Sequence, residues 1–360
     1  MKLKYLATAA VAMAATGAAQ AQTPGTNITL YGVADAYVQG AKGAESVHRV
    51  QSGGLSGSRF GIRGSEDLGG GVRGIFTLES GINVDDGTSG QGAFWGRQAF
   101  VGVDSGYGKL TLGRQYGSLY ALSSEFSEFS NGPIGASTSV IGGFGGYEPV
   151  RGGNAATTGT GNGGPARINN SVKYESPSFG GLRAGAVLGL GETAGGASDS
   201  RVADVYGRYT NGPLDLMLSY VDDKAGAGAL DVRTLSAAGA YSFGAWRVTT
   251  GLIDVDDRGS AGADGNGYWL GGDYRWGRNL VKLQYLASKA KGSNDGKTQA
   301  LGVGYQFDLT KRTALYSTLT RFRNEGAGYQ DRWASAVPAG LTAAGDRNIT
   351  EVVAGIRHVF

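Results

Sequence analysis

Arg59, Arg63, Arg73 and Glu79 stand on one face of the stretch Ser58 to Glu79, SRFGIRGSEDLGGGVRGIFTLE, while Phe60, Ile62, Val72, Phe76 and Leu78 stand on the other. Fixed charges of both signs on one wall can pair with one another or set up a field that sorts ions and dipolar solutes. Arginine suits either task because it stays charged at any accessible pH. Covalent catalysis has far less to draw on. The chain has 2 histidines, His48 and His358, and 0 cysteines, so a Ser-His-acid arrangement, a His-based metal site or a thiolate site finds few ligands. The acidic runs Asp85-Asp86, Asp222-Asp223 and Asp254-Val255-Asp256-Asp257 read as surface loops that could hold Ca²⁺, although such pairs are more often simply solvated. The abundant glycines lack the Lys-Ser/Thr and the strand-then-helix setting of a phosphate loop.

Two arms that alternate with period 2 around the polar, glycine-bearing Ser65 to Gly70 make a hairpin with one greasy and one charged face. The same alternation recurs to the end of the chain. Residues 27–38 set Ile28, Leu30, Ala34, Ala36 and Val38 against Thr29, Tyr31, Asp35 and Tyr37. Residues 167–176 set Ile168, Val172 and Tyr174 against Arg167, Asn169 and Lys173. Further segments fall at 94–103, 108–114, 182–190, 201–210, 213–222, 232–242, 245–254, 267–276, 279–289, 298–308, 311–322 and 348–360, which with the hairpin makes sixteen. An even number suits a closed antiparallel barrel whose termini share one side. Eleven residues at about 3.3 Å each, tilted about 45°, rise roughly 25 Å, the height of the apolar band of a membrane barrel.

Connections alternate as well. Short reversals such as Asp104 to Gly108, Pro177 to Gly180, Asn211 to Pro213 and Trp276 to Asn279 follow the even-numbered strands. Longer Gly/Ala/Asp/Ser loops, such as 191–200, 255–266 and 323–347, follow the odd ones. Loops sorted by length to opposite rims are expected of an outer-membrane barrel and have no reason to arise in a sandwich. The tyrosines and tryptophans near strand ends, Tyr107, Tyr174, Tyr220, Trp246, Tyr274 and Trp276 among them, suit interfacial girdles.

The first 21 residues read as a cleaved leader: Lys2 and Lys4, an apolar stretch, then Ala19-Gln20-Ala21, with the mature chain expected from Gln22 as one large domain. Export without cysteine leaves size or lipid as the stabiliser. Glycine at 66 of 360 residues, with 18 Tyr and 7 Pro, points to many strands and turns. Against 33 Lys and Arg stand 30 Asp and Glu, a balance that predicts no nucleic-acid partner and leaves selectivity to where the charges sit.

NITLYGVAD (27–35), SRFGIRGSEDLGGGV (58–72), FWGRQAFVGV (94–103), GYGKLTLGRQ (106–115), NNSVKYESPSFGG (169–181) and the closing GIRHVF (355–360) together resemble the trimeric general porins of neisserial and other betaproteobacterial outer membranes. The resemblance implies a 16-stranded transmembrane β-barrel with short periplasmic turns, long extracellular loops, a homotrimeric assembly and passive diffusion of small hydrophilic solutes. It also implies a third loop, about 115–165, folded inward. In that loop Glu125 and Glu128 would form the acidic side of a constriction. Arg59, Arg97 and Arg167, with Glu79, match the wall positions best, and Arg63, Arg73 and Arg114 are further candidates. The loop departs from the short acidic signature of several relatives, and its glycine-rich tail, 142–164, is long. The closing strand with its terminal Phe360 resembles the signal read by the barrel assembly machinery.

The expected function is therefore a water-filled outer-membrane channel for ions and small polar solutes with a mild anion preference, not an enzyme and without a resident cofactor. Outer-membrane lipid and lipopolysaccharide are the expected surroundings. A barrel used mainly as an adhesin or anchor, with a plugged lumen, and a solute-specific channel are the alternatives.

Overall fold

The computed structural model describes residues 27–130, 132–138, 166–191, 201–225, 230–258, 265–290, 297–325 and 348–360. The expected leader, the glycine-rich tail 142–164 and most of the loops 191–200 and 323–347 lie outside the described residues.

The strands, in chain order, are β1 (Asn27–Lys42), β2 (Ser46–Ser52), β3 (Arg59–Gly69), β4 (Val72–Ile82), β5 (Ser89–Gly90), β6 (Gln98–Ser105) and β7 (Gly108–Tyr116). A short helix, α1 (Ser118–Glu125), precedes β8 (Arg167–Glu175), β9 (Leu182–Gly189), β10 (Arg201–Asn211), β11 (Leu214–Ala225), β12 (Leu230–Phe243) and β13 (Trp246–Asp257). The wall is completed by β14 (Gly265–Trp276), β15 (Asn279–Ala290), β16 (Lys297–Asp308), β17 (Thr313–Glu325) and β18 (Ile349–Val359). All belong to one sheet in which every neighbour is antiparallel, and β1 pairs with β18 from Val33↔Val359 to Lys42↔Thr350, so the sheet closes. β2 and β3 lie end to end against β1, and β5 and β6 lie end to end against β4. The 18 segments therefore fill sixteen positions around a closed barrel.

Burial is inverted relative to a soluble protein. Leu218, Leu252, Leu270, Leu283, Leu319 and Val352 are all more than half exposed, whereas Asp204, Ser236, Thr249, Gln284, Thr320 and Glu351 on the opposite parity are buried. Apolar side chains directed outward with polar ones inward is the arrangement that hydrocarbon outside and water inside select.

Local sequence explains where the elements depart from simple alternation. The first reversal falls on Gly69-Gly70-Gly71, all with positive φ (85°, 60° and 77°), so β3 runs on through Glu66, Asp67 and Leu68 rather than turning from Ser65. The strand expected over 94–103 begins only at Gln98, because Phe94 and Trp95 leave the ladder to pack on Phe60, with ring centroids 6.1 and 5.8 Å away. Ile168 does not share a face with Val172 and Tyr174. The register shifts between Gly113 and Gln115, Asn170 takes a positive φ of 47°, and the extra residue turns Ile168 into the interior, where it is fully buried. Asp222-Asp223 and Asp254 to Asp257 lie within β11 and β13 rather than in loops.

Leu252 sits mid-strand on the outward face and is 51% exposed. Leu252→Arg should cost about 2–4 kcal/mol in urea unfolding from lipid vesicles. On a water-facing sheet the same change would stay within about 0.5 kcal/mol, and that outcome would place this face in solvent.

Candidate functional site

The lumen is shaped by residues 117–138, which leave the wall after β7 and cross to the opposite side. α1 starts where the backbone N–H of Ser118 donates to the buried Asp204 carboxyl group of β10 at 2.6 Å, so one of the helix's unpaired N-terminal donors is satisfied from the wall. From there the chain is fastened to successive strands. Trp269 Nε1 of β14 donates to the Phe126 carbonyl at 2.6 Å. On β15, Gln284 accepts from the Glu128 N–H at 2.8 Å and donates to Ser127 Oγ at 3.0 Å and to the Ala136 carbonyl at 2.5 Å. On β18, Glu351 accepts from the Gly135 N–H at 3.2 Å and from Gln39 Nε2 at 2.5 Å.

Apolar burial backs these bonds. Leu119, Leu122, Phe126 and Phe129 are almost completely buried against Val187, Val202, Met217 and Leu286 inside the barrel, each contributing about 1.5–3 kcal/mol. Gly302 makes the approach possible: a Cβ there would stand 2.7 Å from the Ala136 nitrogen. One side of the lumen is thus packed like a protein core rather than filled with water.

The opposite side carries the charged cluster. Arg97 Nε meets Glu79 Oε1 at 2.8 Å, with both side chains more than nine-tenths buried. Tyr116 donates to the same oxygen at 2.8 Å and Tyr31 to the other at 2.9 Å, so the Glu79 carboxylate is saturated. Arg97 Nη2 donates to Tyr120 Oη at 3.0 Å, and Tyr120 stacks on Tyr116 with 3.7 Å between ring centroids. The Arg167 guanidinium lies 5.5 Å from both ring centroids and that of Arg63 lies 5.1 Å from the Tyr31 ring. Arg59 stands close enough for its charge to act on Glu79, Tyr31 and Tyr120.

The structure therefore brings together Arg59, Arg63, Arg97, Arg167 and Glu79, and separates the remaining candidates. Arg73 is paired with Asp104 at 2.5 Å beside the Gly69–Gly71 turn, six residues along β4 from Glu79 and so about 20 Å of extended chain away. Arg114 donates to the Gly96 carbonyl at 2.8 Å and to Asn169, tying the loop before β6 to β8. Glu125 is half-exposed to the lumen and ion-paired with Arg208 at 2.6 Å. Glu128, only three residues on, is sealed against the wall: Thr249 Oγ1 donates to it at 2.8 Å, while Lys282 Nζ holds its backbone carbonyl at 2.8 Å. Between α1 and the wall a cavity of about 300 Å³ is lined by Lys109, Tyr116, Glu125, Lys173, Arg183 and Arg208.

Tyr31, Tyr116, Tyr120, Arg208, Gln284 and Asp204 contact the charged cluster or the inner loop and were passed over by motif reading. All but Tyr116 occupy the inward parity of their strand or the inner loop, which is the signal that could have found them; Tyr116 ends β7 on the parity of the exposed Leu110 and Leu112. Among the described residues no group of three His, Asp or Glu converges as a metal site.

A closed sixteen-position barrel with outward apolar residues and an inward-folded loop agrees with sequence comparison, in which a Gram-negative porin family matches residues 7–327. The chain belongs to the Gram-negative porins. It is 34% identical to outer membrane porin protein 32 of Delftia acidovorans over 97% of both chains, and 24% identical to a Neisseria gonorrhoeae major outer membrane protein P.IB over 80% of this chain and 86% of that one. The solved anion-selective porin from Comamonas acidovorans superposes with a TM-score of 0.73 at 30% identity, covering 93% of this chain and 100% of that one. The protein is thus an outer-membrane porin, a multi-pass barrel that passes ions and small hydrophilic solutes.

Burial pushes the Glu128 carboxyl up to about 7, with nearby Asp273 adding to the shift and Thr249 and Lys282 opposing it. Arg247, with Nη1 3.9 Å from Glu128, and Gln284 complete the groups that face it. In an undocked loop the carboxyl returns to about 4.3. A docked value above the free value means that the docked loop binds protons more tightly, so docking strengthens as pH falls from about 7 to about 4.5 and is weakest above 7. In planar bilayers, loop-driven noise in the open channel should fall between about pH 8 and pH 5. Glu128→Gln should weaken that dependence; an unchanged dependence in the variant would assign the effect to the other carboxylates that hold the loop, Asp204 and Glu351.

Proposed function

We propose that the porin passes small hydrophilic solutes with a mild preference for anions, set by the arginine cluster opposite the folded-in loop. One observation carries this reading: Arg97 and Arg59 act on the single carboxylate of Glu79, whose oxygens are already taken by Arg97, Tyr116 and Tyr31, while the Arg63 guanidinium stands beside them over the Tyr31 ring. The residual charge on that wall is positive, and a low-dielectric wall focuses it into the lumen. The likeness to a porin described as anion-selective supports the same sign. Glu79 and Arg97 act as the frame of the cluster, and Arg59 and Arg63 as the field, with Arg167 oriented over the stacked Tyr116 and Tyr120 rings. On this account the chain is a passage rather than an enzyme: its charged groups frame the cluster, position the loop and set the field.

Two further features belong to the same proposal. The chain assembles as a homotrimer, as the porins it resembles do. Phe360 serves as the assembly signal, and its exchange of backbone hydrogen bonds with Gly32, at 3.1 and 3.0 Å, sets it at the seam where the barrel closes.

Purified protein should give discrete conductance steps in planar bilayers, and a plugged adhesin-like barrel would give none. In a salt gradient, Arg59→Glu should move the reversal potential toward cation preference. An unchanged potential with normal steps would remove Arg59 from the filter while leaving the channel intact.

A further inference from the structure

Between β2 and β3 the chain leaves the wall. β1 pairs with β2 up to Ser52 and with β3 from Arg59, so residues 53–58 stand opposite only Ala34 and Asp35 and bulge inward. Gly53, with a φ of 80°, starts the excursion. Closure of the barrel does not require it, since β1 pairs with β18 without interruption over the same stretch.

Asp35, fully buried on the inward parity of β1, holds the bulge. One carboxyl oxygen accepts from the Gly54 N–H at 3.1 Å and from Tyr316 Oη of β17 at 2.5 Å. The other accepts from the N–H groups of Leu55 and Ser56, each at 3.0 Å. Three successive backbone N–H groups thus form a nest around one side chain. The backbone of Asp35 ties down both ends of the bulge: its carbonyl accepts from the Gly53 N–H at 2.7 Å and from Ser58 Oγ at 2.9 Å, and its N–H donates to Ser58 Oγ at 3.0 Å. Backbone groups that leave the ladder inside a membrane barrel must be satisfied elsewhere, and here one residue satisfies most of them.

The bulge touches both sides of the lumen described above. At the tip of the inner loop, a Cβ on Gly132 would stand 2.6 Å from the Gly54 carbonyl oxygen, and Leu55 packs in the small cluster that contains Ile134 and Tyr316. At the other end, a Cβ on Gly57 would stand 3.0 Å from Arg97 Nη1, and Arg59 follows Ser58 directly. Residues 53–58 therefore span the space between the inner loop and the arginine cluster.

We propose that residues 53–58 form a third side of the channel constriction and that Asp35, which touches no solute, is the positioning residue that sets it. The inference rests on the anion-preferring channel reading and adds to it a determinant of width and selectivity. With the bulge seated, passing ions are kept close to the arginines. With it displaced, more water and salt lie between them, and fixed charges lose their hold over a distance of about 10 Å at 0.1 M salt.

Two variants unseat the bulge by different means. Asp35→Asn turns an amide donor toward at least one of the N–H groups of the nest in either orientation. Gly54→Ala keeps the carboxyl group but places a Cβ 2.1 Å from Tyr316 Oη. The control, Ser236→Ala, removes a buried hydroxyl of β12 that pairs with Ser219 at 2.8 Å. Heat-modifiable migration on gels establishes that each barrel is folded. In planar bilayers both variants should give larger conductance steps than the wild-type protein. Their reversal potentials in a salt gradient should move toward zero, while the control keeps both wild-type readings. A merely structural Asp35 would lower the unfolding temperature and leave both electrical readings in place; that result in the folded variants would overturn the proposal. A third variant, Ser56→Cys, uses the absence of any other cysteine in the chain. Labelling its thiol with a charged methanethiosulfonate, followed by mass spectrometry, should shrink the steps. Full-size steps after complete labelling, or a thiol that stays unlabelled in the folded protein, would place the bulge off the passage and overturn the proposal as well. Absence of steps in the wild-type protein would instead sink the channel reading, and wild-type steps without anion preference would sink the selectivity reading while step size and labelling still decide the position of the bulge.

Discussion

In hydrocarbon an unpaired backbone N–H or C=O costs several kcal/mol, and that penalty is the constraint from which the rest of this structure follows. An open sheet edge cannot be tolerated, so β1 must find β18, and the last residue completes the seam by exchanging hydrogen bonds with Gly32. Once the sheet is closed, the period of two leaves each residue one of two solvents. Leu218 goes to lipid and Ser219 beside it to the interior. A slip of one residue in register would exchange the two faces of a strand, so the apolar pattern fixes the pairing as well as the orientation.

Closure creates a second problem, because a barrel of sixteen strands is too wide for its own side chains to fill. The segment 117–138 addresses it by carrying a small core of its own into the lumen. Four large apolar side chains give that segment most of its adhesion, while buried polar residues on the wall give it a unique position. Gln284 uses both ends of its amide on three loop groups, so a slide by one residue would leave a buried donor or acceptor unpaired at a cost of about 1–3 kcal/mol. Apolar adhesion is tolerant of position and hydrogen bonding is not. Together they hold the loop in one place, and a fixed loop is what allows a charge pattern on the facing wall to act as a filter.

The two solvents were legible in the chain because alternation is a local property. Leu216, Leu218 and Tyr220 could be assigned outward, and Leu188 likewise, without knowledge of any partner strand. The arginine cluster was partly legible: Arg59, Arg63 and Glu79 share a parity within a single hairpin, whereas Arg97 and Arg167 joined them only through the family resemblance. What remained hidden depends on contacts distant in sequence. Glu125 and Glu128 differ by three positions at the end of a short helix, and nothing local says that one will meet Arg208 in the lumen and the other will be sealed beneath Thr249. Asp204, Gln284 and Glu351 read as ordinary inward polar residues; only the crossing of the loop, more than 80 residues away in the chain from each, turns them into anchors. Ile168 was misread because a bulge at Gly113 and Asn170 resets the parity, and one extra residue leaves no trace in composition.

The placement of charge follows from the same division of solvents. Guanidinium groups in the water-filled half of the lumen can be left in excess, because solvent and passing ions screen them. At the waist, Glu79 is not a counterweight to that excess but the post on which Arg97, Tyr116 and Tyr31 are hung. Its removal would cost geometry before it altered selectivity, since a buried guanidinium deprived of its carboxylate must either move toward water or bear a penalty of about 3–5 kcal/mol. The tyrosines matter for a similar reason. The Tyr31 ring offers Arg63 a face that attracts its charge without neutralising it, so the cation is oriented and remains available to the lumen. A carboxylate in the same place would hold the arginine equally well and cancel the field. The choice of aromatic over acidic partners is therefore what lets one wall of the channel be both rigid and positive.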